Sequence, residues 1–106
     1  MTGTRAAIRY AKAILSEAMA KGNSQVVNSE MKAIVETIAS SRELKNFLES
    51  PIVKVNQKHA ALSQIFTQLQ PETLAMFQLL QENNRFELLG EIAIQYSNLY
   101  DEANGL

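Results

Sequence analysis

The 106-residue sequence contains no cysteine, which excludes disulfide bonds and zinc sites built from thiolates. Histidine and aspartate each occur once, as His59 and Asp101, so a catalytic Ser-His-Asp arrangement is not expected. The four glycines stand singly, which excludes a glycine-rich phosphate-binding loop. No apolar run reaches the roughly 20 residues of a membrane-spanning helix, and the first residues lack the pattern of a signal or transit peptide.

An excess of charge of either sign is also missing. The formal net charge is −1, which gives no electrostatic field for binding nucleic acid or an anionic membrane. The hydrophobic fraction of 46% and the charged fraction of 20% are typical of a globular protein, and the length suits one independently folded domain. We therefore expect a single domain in the cytoplasm of a bacterium, with no nucleic-acid partner and no direct insertion into a membrane.

The first helix, expected from near Thr2 or Thr4 to Ala20, carries apolar residues on more than one face. A surface helix needs only one apolar stripe, so this helix either crosses the middle of a bundle or reserves one face for a partner. On a helical wheel, the stripe expected to face the core consists of Ile8, Ala11, Leu15 and Met19. A second apolar set lies roughly a quarter-turn or more further round the helix and consists of Ala7, Tyr10, Ile14 and Ala18.

Five further helices are predicted from turn signals and apolar spacing. Gly22 ends the first helix, and Asn23 or Ser24 caps the second. Ser40 and Glu43 have capping-box spacing for a short third helix, which Pro51 stops. Residues 52–55 are expected to form a linker, and the fourth helix is expected to start near Asn56. The side chains expected to point inward are Val27, Met31, Ile34, Val35 and Ile38 on the second helix, Leu44, Phe47 and Leu48 on the third, and Leu62, Ile65, Phe66 and Leu69 on the fourth.

The fifth helix, from Glu72 to about Asn83, is again apolar on more than one side. Leu74 and Phe77 point one way, and Met76, Leu79 and Leu80 spread well round from them. Pro71 suits its first turn, and Asn84 tolerates the left-handed turn that ends it. The sixth helix, from about Arg85 to Gly105, has one broad apolar arc with Ile94 alone out of place. The sequence therefore predicts an all-α, compact six-helix bundle.

No set of residues assembles into a catalytic, cofactor-binding or metal site. His59 lies at the edge of the apolar face of the fourth helix, where a half-buried structural histidine is the simpler interpretation. The glutamates are scattered and no His-x-x-x-His or Glu-x-x-His pair occurs. We therefore expect no cofactor and no metal.

Two features of the first helix leave its function open. Tyr10 is either a core tyrosine with its hydroxyl at the surface or an anchor at an interface. Arg5, Arg9 and Lys12 form a polar stripe that is either simply solvated or, as an alternative function, the phosphate-binding face of a small nucleic-acid-binding helical bundle. A bundle that self-associates through its surplus apolar surface is a third possibility.

Three blocks of sequence carry a resemblance to a known family. These are Arg9-Tyr-Ala-Lys-Ala13 in the first helix, the stretch from Ser41 to Pro51, and the stretch from Leu79 to Leu89, which contains Glu-Asn-Asn-Arg. In order and spacing they resemble the N-terminal domain of the F-type ATP synthase delta subunit, which in mitochondria is called the oligomycin sensitivity-conferring protein. The resemblance covers essentially the whole chain and implies a six-helix bundle.

The resemblance also implies a function and a binding site. The family's N-terminal domain sits on the catalytic head and binds the N-terminal helix of an alpha subunit in a groove between its first and fifth helices. It is a non-catalytic stator component that joins the head to the peripheral stalk at the cytoplasmic face of the bacterial inner membrane, so that rotation drives ATP synthesis. Carried over by position, the groove residues are Tyr10, Ala13, Ile14, Leu79 and Asn83.

Two departures from the family pattern matter. The family usually has glycine at the position of Asn84, and asparagine, like glycine, tolerates a positive φ. The family continues into a second, smaller domain that binds the peripheral-stalk b subunits, whereas this sequence stops at Leu106. We therefore expect residues 1–106 to be the first domain alone, as an expressed fragment, and we assign stalk binding to no residue in it.

Overall fold

Six α-helices and one short 3₁₀ turn make up the computed structural model, which describes residues 3–105. No strand occurs within those residues, and the Cα radius of gyration of 13.0 Å is that of one compact body of this length. The predicted all-α six-helix bundle is thus confirmed. The helices are α1 (Thr4–Ala20), α2 (Ser24–Ala39), α3 (Arg42–Glu49), α4 (Val55–Ile65), α5 (Pro71–Asn83) and α6 (Leu89–Ala103), and the 3₁₀ turn is Phe86–Leu88.

The last helix, α6, is the one against which α1 and α2 make their most extensive contacts. Its buried side chains include Ile92, Ala93 and Tyr96. Helix α1 carries fully buried alanines at Ala7 and Ala11, whose small side chains let neighbouring helix backbones approach closely. Helix α1 also packs against α5, so it is covered on two sides.

The core-facing side of α1 differs from the predicted stripe. Met19, expected inside, is 54% exposed, and Ile8 is only half-buried. Much of the second apolar set lies in the core instead, with Ala7, Ile14 and Ala18 buried. The helical wheel identifies the apolar arc of a helix, but the neighbouring helices decide which part of that arc they cover.

The ends of α1 and α2 were only partly predicted. Helix α1 begins after Gly3 with no side-chain cap, so capping by Thr4 is wrong, while Thr2 lies outside the described residues. Gly22 has a φ of +73°, as predicted for the residue that ends α1. Asn23 occupies the N-cap position of α2, but its side chain does not cap that helix.

A set of polar contacts fixes the start of α5 against α2. The Glu30 carboxylate accepts hydrogen bonds from the Gln70 backbone N–H at 2.9 Å and the Thr73 hydroxyl at 2.6 Å. The Asn23 side-chain amide donates to both oxygens of the buried Glu72 carboxylate at 3.2 Å. Both carboxylates lie at the N-terminal end of α5, where the helix dipole favours negative charge. These contacts hold α5 in a defined position within the bundle.

Helices α4, α5 and α6 have the predicted order but altered ends. Ile65 is exposed rather than inward, and Phe66 and Leu69 lie beyond the end of α4, partly buried against the core. Pro71 is in the first turn of α5, and Asn84 ends it with a φ of +54°, as predicted. The 3₁₀ turn stands where the sequence predicted the first turn of α6.

The third helix is capped by Ser41, one residue later than the capping-box pattern predicts. The Ser41 hydroxyl accepts a hydrogen bond from the Leu44 N–H at 3.1 Å. The backbone of Ser41 is extended, as a capping residue requires, whereas Ser40 still has helical geometry and donates its hydroxyl to the Thr37 carbonyl. The Ser40 assignment is therefore wrong.

Replacing Ser41 with alanine should lower the free energy of unfolding by about 1 kcal/mol, because the Leu44 N–H loses its capping acceptor. Ser40→Ala is the matched control and should change it by less than about 0.5 kcal/mol, since the Ser40 hydroxyl is exposed. Urea unfolding followed by circular dichroism measures both. Equal effects of the two substitutions would contradict the assignment of the cap.

Tyr96 on α6 makes the stability of the bundle sensitive to alkaline pH. Its hydroxyl donates to the Ser24 carbonyl at 2.9 Å. Burial of the side chain raises the pKa of Tyr96 well above its ordinary value of 10.0. Electrostatic repulsion from Tyr100, Glu72 and Glu30 raises this pKa further. Because the pKa is higher in the folded state, the stabilisation is complete below about pH 10 and is lost as the pH rises further.

The free energy of unfolding should therefore decrease above about pH 10, and Tyr96→Phe should make that decrease smaller while lowering stability at neutral pH. Urea unfolding at a series of pH values for both proteins measures the two slopes. Identical slopes would show that the Tyr96 hydroxyl does not contribute.

Candidate partner-binding surface

The face of α1 that carries Tyr10 and the face of α5 that carries Leu79 and Asn83 lie on neighbouring helices. Leu79 and Asn83 are four residues apart, so they share one face of α5, and Tyr10 and Ala13 are three residues apart, so they share one face of α1. The Asn83 side-chain amide donates to the Tyr10 hydroxyl at 2.8 Å and joins the two helices. We call Tyr10, Ala13, Leu79 and Asn83, with Ile14 beneath them, the α1–α5 surface.

The members of this surface differ in how much solvent they contact. Leu79 is 39% exposed, and Ala13 and Asn83 are also exposed. Tyr10 is half-buried and packs against the core with its hydroxyl bonded to Asn83. Ile14 is only 7% exposed and belongs to the core. The structure therefore brings four of the five predicted residues to the solvent side and places Ile14 under them.

His59 has an aromatic environment. Its ring stacks on Phe86 with the ring centroids 6.2 Å apart and meets Phe77 edge-on at 6.4 Å. The side chain is half-buried, as the structural interpretation expected. Among residues 3–105, no group of three or more His, Cys, Asp or Glu side chains is arranged to hold a metal ion.

Comparison with known proteins decides the family. A family model described as "ATP synthase delta (OSCP) subunit" matches residues 6–106. The chain belongs to the ATP synthase delta (OSCP) subunit family. Its resemblance to that family, argued above from three sequence blocks, is thereby confirmed over nearly the whole chain.

Relatives in this family are similar along the full length of the chain. Proteins called "ATP synthase subunit delta" from Flavobacterium johnsoniae and Flavobacterium psychrophilum are each 46% identical over 106 residues. One from Chlorobium phaeovibrioides is 36% identical over 107 residues. The match covers 100% of this chain in each case, but only 60%, 60% and 59% of the respective relative. The chain thus spans about three-fifths of the length of these delta subunits.

The nucleic-acid-binding alternative gains no support from these matches. Arg5, Arg9 and Lys12 are exposed along α1, but the formal net charge of the chain is −1. An isolated row of three cations on a chain without net positive charge is the usual solvated face of a helix.

Within the described part of this delta-family chain, none of the helices has the length and apolar composition needed to cross a membrane.

Sequence reasoning missed a cleft elsewhere on the bundle. It has a volume of about 840 Å³ and lies between α2, α3 and the start of α6, with Val35, Ile38 and Phe86 among its apolar lining. Ile94, 42% exposed, was the one apolar residue out of place in the predicted arc of α6, and it lines this cleft. Ile94 was therefore the residue from which this cleft could have been suspected in the sequence. None of the α1–α5 surface residues lines the cleft.

Proposed function

We propose that this chain is the head-binding domain of an ATP synthase delta subunit and that its α1–α5 surface binds the N-terminal helix of an alpha subunit. Membership of the delta (OSCP) family supports the assembly, and the solvent-accessible apolar residues on two adjacent helices support the place. The observation that carries the proposal is Leu79, a large apolar side chain exposed beside the Tyr10–Asn83 hydrogen bond. The role is non-catalytic.

The contacts suggest helix-in-groove recognition. Leu79 on α5 and the ring of Tyr10 on α1 supply apolar surface, and a helix lying across both would cover them. Ala13 is exposed on α1 with a small side chain, which would permit close approach of the bound helix. Ile14 is buried in the core, so in this proposal it supports the surface residues without contacting the partner. A few anchors of this kind can provide most of the binding energy of an interface.

In this proposal the binding surface has a mechanical role, because it connects the catalytic head to the stator. A stator must hold the alpha/beta ring still while the central rotor turns, so slow dissociation matters more than fast association. Nanomolar affinity corresponds to about −12 kcal/mol, which is within the range that a small set of buried anchors provides. In this proposal the domain lies at the cytoplasmic face of the bacterial inner membrane, and a second domain of the delta subunit binds the b subunits of the peripheral stalk.

Isothermal titration calorimetry with a synthetic peptide of the alpha N-terminal helix tests the proposal. We expect binding whose affinity is nearly the same at low and physiological salt, because an apolar groove makes few ionic contacts. A scrambled peptide of identical composition is the control. Absence of binding would contradict the proposal, and an affinity that falls steeply with salt would favour an electrostatic surface such as Arg5, Arg9 and Lys12 instead.

A further inference from the structure

The dipeptide Asn104-Gly105 follows the last residue of α6 and is the only place in the sequence where glycine comes after asparagine. Both residues are exposed. The Asn104 side-chain amide donates from Nδ2 to the Tyr100 carbonyl at 2.7 Å, and the Asn104 backbone N–H donates to the same oxygen at 3.1 Å. Asn104 thus caps the C-terminal end of α6, where the helix presents partial negative charge.

The backbone around Gly105 leaves its nitrogen accessible to the Asn104 side chain. A side chain on the residue after an asparagine hinders attack of the backbone nitrogen on the amide carbon, and glycine has none. Apart from its chain neighbours, no heavy atom among residues 3–105 lies within 4 Å of the point where a Cβ of Gly105 would be. The Gly105 N–H donates to the Glu102 carbonyl at a long 3.2 Å. Bonds at the exposed end of a helix open at little cost in free energy, so the nitrogen becomes free often.

We propose that Asn104 is a site of spontaneous deamidation, at which the chain modifies itself. The Gly105 nitrogen gives its proton to solvent and forms a bond to Asn104 Cγ, and the bond from Cγ to Nδ2 breaks as ammonia leaves. Water then opens the resulting succinimide ring. Cleavage of the new bond to Cγ leaves aspartate, and cleavage of the original peptide bond leaves isoaspartate, whose main chain runs through Cγ. Both products carry a carboxylate in place of the amide.

Deamidation removes the cap of α6 and places a negative charge at the wrong end of the helix. The Tyr100 carbonyl loses its side-chain donor, and a carboxylate oxygen at the same place is repelled by that carbonyl. The last turn already contains Asp101 and Glu102, and none of residues 100–103 is basic. A further carboxylate is therefore opposed both by the helix dipole and by its neighbours, so the last turn of α6 opens more often.

Peptide mapping by mass spectrometry, after incubation of the purified chain for weeks at physiological temperature and pH, tests the site. Deamidation raises the mass by about 1 Da. Trypsin releases residues 86–106 as one fragment, because no lysine or arginine follows Arg85. The fragment also contains Asn98, which is exposed on α6 but followed by leucine, and so provides an internal comparison. We expect at least about tenfold more deamidation at Asn104 than at Asn98.

Gly105→Ala tests whether the missing side chain of residue 105 causes the reactivity. The added methyl group has open space in the structure, and it should slow deamidation of Asn104 about tenfold by hindering the attack. Circular dichroism checks that the helix content is kept, since alanine is unfavourable at the Gly105 φ of +71°. Equal modification of Asn98 and Asn104, no modification of Asn104, or an unchanged rate in Gly105→Ala would overturn the assignment.

Hydrogen exchange of Asn104→Asp, which carries one of the two products, tests the effect on α6. The amides of residues 100–103 should exchange about threefold faster than in the unmodified chain, because the cap is lost and a charge is added. Asn98→Asp is the matched control, since it adds the same charge to an exposed position of α6 without removing the cap, and it should change these rates less than about twofold. Equal effects of the two substitutions would overturn the capping role.

Discussion

Replacing Ala13 with aspartate is expected to weaken binding of the alpha-subunit helix by about 3 kcal/mol, or more than a hundredfold, without unfolding the bundle. Ala13 is exposed on α1 beside Tyr10, so a carboxylate there is solvated in the free protein. Covering it with an apolar helix removes that water and provides no counter-charge. The penalty therefore arises only in the complex, which separates a binding defect from a folding defect.

Calorimetry with the alpha peptide measures the loss of affinity, and urea unfolding checks the stability of the free domain. Ala33→Asp is the matched control, because Ala33 is also an exposed alanine inside a helix but lies on α2. Both substitutions carry the same small cost in helix propensity. If Ala13→Asp binds as tightly as the unmodified chain, the placement of the partner on the α1–α5 surface is wrong.

Replacing Phe77 with alanine should destabilise the domain by about 3–5 kcal/mol, a large part of the total stability of a protein of this size. Phe77 is 0% exposed and packs near the rings of His59 and Phe66, whose centroids lie 6.4 and 6.3 Å away. Truncation removes these contacts and leaves a cavity that the surrounding helices cannot fully close. The loss should appear as a much lower midpoint in urea unfolding.

Leu74 on the same helix provides the control for this prediction. It is 47% exposed, so Leu74→Ala should change the free energy of unfolding by only about 0.5 kcal/mol. The two substitutions both shorten an apolar side chain of α5 and differ mainly in burial. A similar loss for both would mean that the packing of α5 is not as described.

The contrast between Leu74 and Phe77 also shows what the sequence could and could not predict. Chain-breaking signals gave the order of the helices correctly, since Gly22, Pro71 and Asn84 act through their own backbone geometry. The direction of each apolar face was less predictable. Leu74 and Phe77 were expected to point the same way, yet only Phe77 is covered, because coverage depends on where the neighbouring helices lie.

The same limit applies to the α1–α5 surface. Periodicity predicted that α1 and α5 carry apolar residues on more than one face, but the pairing of Tyr10 with Asn83 spans 73 residues and has no local signal. The family resemblance placed both residues in one groove but predicted no hydrogen bond between them. Burial then separated Ile14, which lies in the core, from Leu79, which remains accessible, a distinction that neither spacing nor resemblance provided.

The most direct test of the account is an NMR titration of the isotopically labelled domain with the alpha N-terminal peptide. We predict that amide shifts concentrate on α1 and α5 around Tyr10, Ala13, Leu79 and Asn83, with the domain otherwise unchanged. Shifts confined to the cleft between α2, α3 and the start of α6, or no shifts at saturating peptide, would contradict the assignment of the binding surface.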